Sequence, residues 1–569
     1  MVSPGAGAAG ARGASSHAVA LWRERAFRAL MPVQLANAVA VWIHVVSVQW
    51  VLTERGESAS VISLAPAAMA VPFLVLALPL GVVAGHASRT RLMAGATALS
   101  TLAALAALVL TATGADGAAP MIVTVVLVGV ALVAVGVSWQ SLLPETVNRR
   151  LIPTAALVDG AVFNTARSVG PLLAGLGLGV VGAVWTFAAV AVLSAGCCLV
   201  LLGRERRVPD RTAPRRAILP ELIGALRFVT YSAWTTRLLF QLFLFGIPSS
   251  ALWALISLAV HERLGMSSAG FGVIMALIGA GAVVAVVGFG GLRRRLRVTV
   301  FAAIGALTYG LALVVLAVST STALVSVAML LAGAAWVSVQ STWMSMGHQF
   351  FPDWVRPRLI AFILLVFQGT QAVGSLLWGV VTDAIGLQGA LLAAAAIMAV
   401  SCVSLAVIGL GAESGIEPVL AGSDVDTAVP GVGAAVPTGR TGPAGVVASG
   451  SRNAHRLLVS YDYRVPPAAE SEFRAAMRDL RRSRLRLGGR RWRLERGPAD
   501  PSLFVESYLV AGESEFAEQE SSRLTVPETR LRLRVASLAD EVAGPRFSVW
   551  TPAERGTRTD GYGLHRKSK

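Results

Sequence analysis

Long apolar runs, each close to the length needed to cross a lipid bilayer, follow one another between residues 28 and 410. A membrane-spanning helix needs about 20 mostly apolar residues. Most charged residues of this stretch lie between the runs, and most Asp and Glu of the chain lie beyond residue 411. Only 14% of the 569 residues are charged, whereas soluble globular proteins carry about 25%. The sequence therefore predicts an integral membrane protein.

The apolar runs delimit twelve candidate spans. They lie near 28–52, 61–84, 91–113, 119–142, 157–180, 184–203, 237–260, 269–290, 298–318, 322–346, 358–382 and 387–410. Basic residues concentrate in alternate loops, at 89–91, 149–150, 204–216, 293–297 and 356–358, while the other loops carry only Arg55 and Arg263. Because positively charged loops stay in the cytoplasm, both termini are predicted to be cytoplasmic.

The net charge of +17 does not indicate a nucleic-acid-binding protein, because the basic residues act as topology determinants in short loops. Nearly all of them are Arg, and the heavy use of Ala, Gly and Val is typical of a GC-rich bacterial genome. The expected location is thus the bacterial inner membrane. Cys197, Cys198 and Cys402 all fall in apolar runs, so no disulfide framework, metal site or bound cofactor is predicted.

The longest loop, 204–236, divides the twelve runs into six and six, and the two halves repeat. "FNTARSVGP" at 163–171 aligns with "FQGTQAVGS" at 367–375, a shift of 204 residues. Just upstream, "LLPETVNRRLI" is similar to "FFPDWVRPRLI". Parallel repeats are one of the ways in which transporters are built, with the substrate bound between them near the midplane of the bilayer.

Three segments carry a closer resemblance: "LWRERAFRAL", "SWQSLLPETV" with the following "FNTARSVGPLLAG", and "PDWVRPRLIAF" with "GSLLWGVVTDAIGL". Over about residues 20 to 410 the chain resembles the enterobactin-exporter-like and macrolide-efflux-like branch of the major facilitator superfamily, the transmembrane secretion effectors. The resemblance implies export of siderophores, antibiotics or other secondary metabolites, driven by protons.

Arg167 stands inside an apolar run, where an arginine costs about 2.5–3.5 kcal/mol on insertion scales and normally faces protein or a water-filled cavity. One alternative is a structural role, in which Arg167 holds helix ends together through backbone carbonyls or an acid such as Glu145 or Asp159; the other is a role in a substrate cavity. A stripe of small residues on the same helix would let another helix approach closely. The stripe consists of Ala166, Gly170, Ala174 and Gly177.

Further residues are candidates for gating. Gly170 and Pro171 resemble the antiporter motif in the fifth helix of the superfamily's exporters. "GVVAGHASRTRL" resembles its loop between spans two and three, with Gly81, Arg89 and Arg91 in matching positions. In the superfamily an acid in this loop usually takes part in a charge relay between the two halves. Gly85 stands in its place here, and Glu145 or Asp383 could supply the missing carboxylate. The alternative for Arg89 and Arg91 is that they only fix the topology.

Spans one, four, seven and ten line the cavity of this superfamily, and here they are rich in amide and aromatic residues. Such walls suit bulky, partly apolar ligands. His44 could instead be a buried core residue. Trp139 and Trp343 could instead lie at the membrane–water interface. Span ten also carries Trp336. With the fifth and eleventh spans, the candidates for the substrate cavity are Gln34, Asn37, His44, Gln140, Asn164, Arg167, Gln241, Trp253, Gln340, Trp343, Gln368 and Gln371.

Beyond a Gly-, Ala- and Pro-rich linker, the tail alternates strand and helix patterns in the order βαββαβ, which predicts a ferredoxin-like fold. It resembles the tails of some relatives and, more distantly, the monooxygenase-like dimeric barrels. Many relatives have His where Glu520 stands. The tail could dimerise or bind a partner protein. The nine arginines between Arg478 and Arg496 could bind anionic lipid or RNA, but they are expected to form a solvated, partner-facing helix.

The predicted fold is an all-α membrane protein of twelve transmembrane helices in two six-helix repeats, with a small α+β ferredoxin-like cytoplasmic domain. The predicted function is proton-coupled export of a bulky metabolite or drug, with no catalytic residue. The alternatives are an importer or lipid flippase of the same fold, and a membrane-tethered enzyme acting through the tail. The segments are 1–27, 28–203 (first bundle), 204–236 (loop), 237–410 (second bundle), 411–454 (linker), 455–550 (tail domain) and 551–569 (disordered).

Overall fold

A computed structural model describes residues 20–86, 88–204, 218–288, 295–352, 354–410, 456–521 and 523–549. The predicted linker 411–454, the end segment 551–569, most of the N-terminal segment and part of the loop 204–236 lie outside these residues. The chain forms two compact units. The first contains residues 1–215, 237–348 and 360–411, and the second contains 216–236, 349–359 and 412–569.

Long helices make up the first unit. Their apolar sequences, mostly free of charge, favour helices that satisfy their own backbone groups. In chain order they are α1 (Arg25–Glu54), α2 (Ala59–His86), α3 (Arg89–Ala112), α4 (Ala118–Thr146), α5 (Ile152–Val180) and α6 (Gly182–Leu202), then, after α7 of the second unit, α8 (Ala233–Leu258), α9 (Ser268–Gly288), α10 (Val298–Val318), α11 (Thr322–Phe350) and α12 (Arg356–Ile408).

Ten of the helices that the structure describes are long and apolar enough to cross a membrane. One of them, α12, has 53 residues, about twice the length that a bilayer requires. Gly386, with φ 78° and ψ 161°, interrupts it, a backbone conformation that favours glycine. The two limbs of α12 correspond to the last two predicted spans. The 29-residue α5 is not among the ten; it carries Asp159 and Arg167.

Because successive helices are joined by short turns, the bundle has two ends. We call the end with the turn 55–58 the distal end and the end with the turn 147–151 the proximal end. An ion pair between Arg55 and Asp116 joins two turns at the distal end. Arg89 and Glu145 are paired at the proximal end, at 2.5 Å.

Helices α5 and α9, one from each half of the chain, approach each other to backbone contact. A Cβ atom on Gly175 would lie 2.4 Å from the carbonyl oxygen of Ser268 and 2.6 Å from Cα of Gly272. A Cβ on Gly279 would lie 2.0 Å from Oγ of Ser168. Small residues allow this kind of close helix packing in membranes. The predicted stripe lies elsewhere on α5: a Cβ on Gly170 would meet Trp42 of α1 at 2.5 Å.

The second unit contains a four-stranded antiparallel sheet in the order β2-β3-β1-β4. Apolar side chains of β1 and β3 alternate toward a core that includes Phe473, Leu480 and Tyr508. Its elements are β1 (Leu457–Arg464), α13 (Glu470–Leu487), β2 (Arg490–Arg496), β3 (Leu503–Val510), α14 (Glu513–Ser521), α15 (Val526–Ser537) and β4 (Glu541–Val549).

The same unit includes α7 (Ile218–Tyr231) and the turn between α11 and α12. Trp354 of that turn packs edge-on against Phe228 of α7, with ring centroids 5.9 Å apart. The guanidinium of Arg523 lies 5.0 Å from the Trp354 ring, and Arg227 donates to the carbonyl of Gly488 at 3.2 Å. The sheet domain is therefore docked on two segments that lead directly into membrane helices.

The α5–α9 contact predicts that Gly175→Ala will destabilise the protein, because the new Cβ would overlap backbone atoms that cannot rotate away. Overpacking of this kind costs about 1–3 kcal/mol. Gly196→Ala is the matched control, since a Cβ there meets nothing within 4 Å. The midpoint of thermal unfolding of the purified full-length protein should fall for Gly175→Ala alone. Equal midpoints for the two variants would show that the helices are not in backbone contact.

The docking contacts predict that Trp354→Ala will loosen the sheet domain, because its ring is the surface shared by Phe228 and Arg523. Hydrogen–deuterium exchange on the full-length protein should show faster exchange of amides in 223–231 and 484–490. Arg546→Ala, which removes an exposed pair with Asp462 in the sheet, should leave both peptides unchanged. Protection that survived the Trp354 substitution would contradict the docking surface.

Candidate functional site

Arg167 lies at the middle of α5, surrounded by aromatic rings. Its guanidinium carbon is 4.4 Å from the ring centroid of Trp336, 5.3 Å from Phe163, 5.4 Å from Trp42 and 5.8 Å from Trp253. Cations within about 6 Å of such rings gain about 0.5–2 kcal/mol each from the aromatic quadrupole. We call these five residues the arginine cage.

The rings of the cage come from both halves of the chain. Trp42 belongs to α1, Trp253 to α8 and Trp336 to α11. The centroids of Trp42 and Trp253 are 6.2 Å apart, and those of Trp253 and Trp336 are 5.9 Å apart. Phe367 of α12 extends the cluster, 5.6 Å from Trp336. The cage therefore lies where the two halves meet.

Among the described residues, no carboxylate lies within ion-pair distance of Arg167, and its buried Nε has no hydrogen-bond partner. The two acids considered as partners bind elsewhere. Asp159 accepts a hydrogen bond from Trp139 Nε1 at 2.6 Å, and Glu145 is paired with Arg89. Aromatic faces stabilise the charge of Arg167 but cannot accept its N–H groups in the way that an oxygen does. The guanidinium thus retains donor capacity.

The other candidates on α1 lie away from the cage. His44 is fully buried and shares a hydrogen bond of 3.0 Å with Thr124 Oγ1. Its ring packs edge-on against Phe187 at 5.4 Å. The side-chain oxygens of Gln34 and Asn37 are buried and have no partner among the described residues.

The remaining amides and Trp343 lie at several places along the bundle. Asn164 donates to the carbonyl of Gly160 in its own helix at 2.9 Å, and Gln140 donates to Asp159 at 3.4 Å. Gln371 donates to Ser249 Oγ at 3.2 Å. Of the others, Gln241 donates to Ser404, Trp343 packs edge-on against Phe245, and Gln340 and Gln368 are half-buried.

The gating candidates divide between two places. Gly81 lies near the proximal end of α2, Arg91 is exposed in the first turn of α3, and Arg89 pairs with Glu145 within one half of the chain. Gly170 and Pro171 instead follow the cage directly. A Cβ on Gly272 of α9 would lie 3.0 Å from the carbonyl oxygen of Pro171, so this part of α5 packs against the other half.

Several polar contacts between α1 and α8, one helix from each half, lie on the distal side of the cage. Gln49 donates to the carbonyls of Trp253 and Ala254 at 3.0 and 3.3 Å. Thr53 donates to Ser257 Oγ at 2.9 Å. These contacts hold α1 against α8 between the cage and the distal end.

The acid Asp383 also lies at the distal end, where it accepts a hydrogen bond from the backbone N–H of Ala59 at 2.9 Å. Its proposed role in a lock beside Arg89 and Arg91 is therefore wrong, since those residues lie at the proximal end. The physical reason is the length of α12. Asp383 is 27 residues beyond Arg356, which is about 40 Å at 1.5 Å per residue.

Comparisons with known proteins agree with this architecture. The multidrug efflux pump Tap of Mycobacterium tuberculosis is 26% identical over 393 residues, covering 66% of this chain and 91% of that protein. The pump of the same name from Mycolicibacterium fortuitum is 26% identical over 368 residues, covering 62% of this chain and 88% of that protein.

Solved structures show the same fold at low identity. The nucleoside transporter NupG is 14% identical with a TM-score of 0.53, covering 66% of this chain and 98% of its own. A bacterial homolog of the human lysosomal transporter Spinster, in an inward-facing and unoccupied conformation, is 13% identical with a TM-score of 0.52, covering 68% of this chain and 95% of its own. Residues 16–556 match the profile of the family described as transmembrane secretion effector. This chain belongs to that family.

Proposed function

We propose that the protein is a secondary transporter that exports a bulky small molecule, a drug or secondary metabolite, by alternating access. The main observation in support of this proposal is the arginine cage. Its guanidinium has unused hydrogen-bond donors and lies where the two halves of the chain meet. A site between halves can be opened to one face of the membrane at a time. The similarity to the Tap multidrug efflux pumps supports export rather than uptake or lipid flipping.

We propose that the membrane region consists of twelve spans in two six-helix repeats. Such repeats would explain why α1 and α8 contact each other through residues at equivalent positions. Gln49 and Trp253 are 204 residues apart, as are Thr53 and Ser257. The shift that aligns 163–171 with 367–375 is also 204 residues. Residues equivalent in two repeats touch each other only near the axis that relates them. The contacts therefore support a repeat axis running between α1 and α8, beside the cage.

We infer that the distal end faces outward and that both termini are cytoplasmic in the inner membrane of a bacterium. The arginine-rich loops support this orientation, because the proximal turns contain most of the basic residues of the membrane region. The polar contacts between halves then close the outer side of the cage.

The chemistry of the cage favours a cargo with an anionic or strongly accepting planar group. A planar guanidinium forms paired hydrogen bonds with carboxylates, and the tryptophan faces offer stacking surface for an aromatic body. The nearest acid along α5 is Asp159, one helical turn before Phe163, and its carboxylate already accepts a hydrogen bond from Trp139; the charge within the cage itself is the positive charge of Arg167. The cargo is therefore expected to be an acidic or acceptor-rich aromatic compound rather than a cationic dye.

Proton antiport is part of the proposal on the strength of the family resemblance. The cage itself contains an arginine and aromatic residues, none of which exchanges protons readily near neutral pH. His44 of α1 is fully buried against Phe187 and hydrogen-bonded to Thr124, so it is not identified as a proton-carrying residue.

The tail is proposed to be a ferredoxin-like domain without enzymatic activity, able to dimerise or bind a partner protein. Burial alone would raise the pKa of Glu520, but the charges of Arg532 and Arg484 outweigh it and hold that pKa below its usual range. Arg484 donates to Glu520 at 3.1 Å. A carboxylate that stays ionised and paired is a poor general acid or base near neutral pH, so Glu520 fits a structural role better than a catalytic one.

Arg167→Ala tests the proposed site. It should leave the protein expressed but abolish most export of an anionic aromatic probe, such as a fluorescein derivative, from loaded cells. Arg167→Lys should rescue export poorly, because an ammonium is a hydrated point charge without the planar fork of donors. Efflux rates, normalised to the amount of protein in the membrane, are the measurement.

Arg55→Ala is the matched control, because Arg55 pairs with Asp116 in the same half and lies outside the cage. Its efflux rate should equal that of the unmodified protein. Ethidium, a cationic probe, should be exported slowly by all variants. Unchanged fluorescein efflux by a well-expressed Arg167→Ala variant would reject the cage as the binding site.

A further inference from the structure

At the distal end, an acid from one half of the chain caps a helix of the other half. Asp383 Oδ1 accepts the backbone N–H of Ala59 at 2.9 Å, and Oδ2 accepts the N–H of Ser60 at 3.1 Å and also its hydroxyl. Ala59 is the first residue of α2. The first N–H groups of a helix have no partner within it, so Asp383 satisfies donors that α2 cannot satisfy itself.

The cap comes with close packing of the two helices. A Cβ on Gly379 would lie 2.1 Å from Oγ of Ser63, 2.8 Å from Cα of Ser60 and 2.9 Å from the carbonyl oxygen of Ala59. The first limb of α12 therefore touches the backbone of α2 one turn before Asp383. The hydrogen bonds and the close packing both require the halves to be together at this end.

Local sequence explains why the acid has to come from another helix. The first turn of α2 contains no acidic residue, although a negative charge is favoured there by the helix dipole. Ser58 supplies one weak local contact, accepting from the N–H of Val61 at 3.4 Å. The carboxylate of Asp383, from the other half of the chain, supplies the missing charge.

We propose that Asp383 is a latch between the two halves, which stabilises the state closed at the distal end and is released when that end opens. This inference rests on the proposed alternating access. Opening breaks three hydrogen bonds to a carboxylate and exposes the N-terminus of α2. Asp383 thereby sets the balance between the two states of the transporter without touching cargo.

The test uses nitroxide labels on Thr113→Cys and Gln388→Cys, exposed residues at the distal end of each half. The labelled protein lacks its three native cysteines and is placed in nanodiscs. Double electron–electron resonance then gives the distribution of distances between the halves. Asp383→Ala should raise the population at longer distance about two- to thirtyfold, the range expected for the loss of a helix cap. Ser60→Ala, which removes one of the three hydrogen bonds, should give a smaller shift in the same direction.

Asp116→Ala is the control, because Asp116 is an acid of the same end that pairs within its own half. Its distance distribution should match that of the labelled parent. An unchanged distribution in both Asp383→Ala and Ser60→Ala, or an equal shift in Asp116→Ala, would overturn the latch. The experiment needs no cargo, so loss of the latch and failure of the arginine cage as a binding site are separate results.

Discussion

The charge of Arg167 in the middle of the helix bundle is the constraint on which the rest of the architecture depends. A guanidinium inside an apolar helix bundle has to be stabilised by the protein or by a water-filled cavity. Here aromatic faces from α1, α5, α8 and α11 do so. Because those helices come from both halves, the halves must meet around the cage. The arrangement stabilises the charge while leaving N–H groups for a ligand.

The cage also explains the distribution of the contacts around it. Small residues in α5 and α9 bring the halves into backbone contact just beyond the cage. Farther out, Gln49 and Thr53 reach across to α8, and Asp383 caps α2. Each of these hydrogen bonds is weak enough to be broken and remade, since neutral ones contribute about 0.5–1.5 kcal/mol net and those to a charged group about 1.5–3 kcal/mol. A transporter that has to open at this end needs contacts of that strength.

Much of the fold could be predicted from the sequence because a membrane restricts the possible structures so strongly. The apolar runs predicted where most of the long helices lie, and the alternation of the tail predicted its strands. Arg167 was identifiable as an exception within an apolar run. Trp42 was missed, since one more tryptophan in a hydrophobic span carries no signal of its own. Its role depends on which helices meet, and helical periodicity does not report that.

The same limit applies to Gly175 and Asp383. The predicted small-residue stripe through Gly170 packs within its own half, whereas the contact between halves uses the neighbouring edge of α5. The sequence pattern suggested a role for Asp383 beside Arg89 at the proximal end, whereas the structure places it at the distal end. Counting residues along its helix predicts the distal position. Pairing between distant helices is a property of the folded structure, and a single sequence contains it only indirectly.

Measuring equilibrium binding shows whether the arginine cage binds cargo, because it separates recognition of the cargo from its transport. A fluorescein derivative can be titrated with the full-length protein in nanodiscs and followed by fluorescence anisotropy. We expect saturable binding that Arg167→Ala weakens about tenfold or more, because the variant loses hydrogen bonds from a charged donor. The Arg55→Ala variant should bind like the unmodified protein. If the Arg167→Ala variant and the unmodified protein bound the probe with equal affinity, Arg167 would not be part of the binding site.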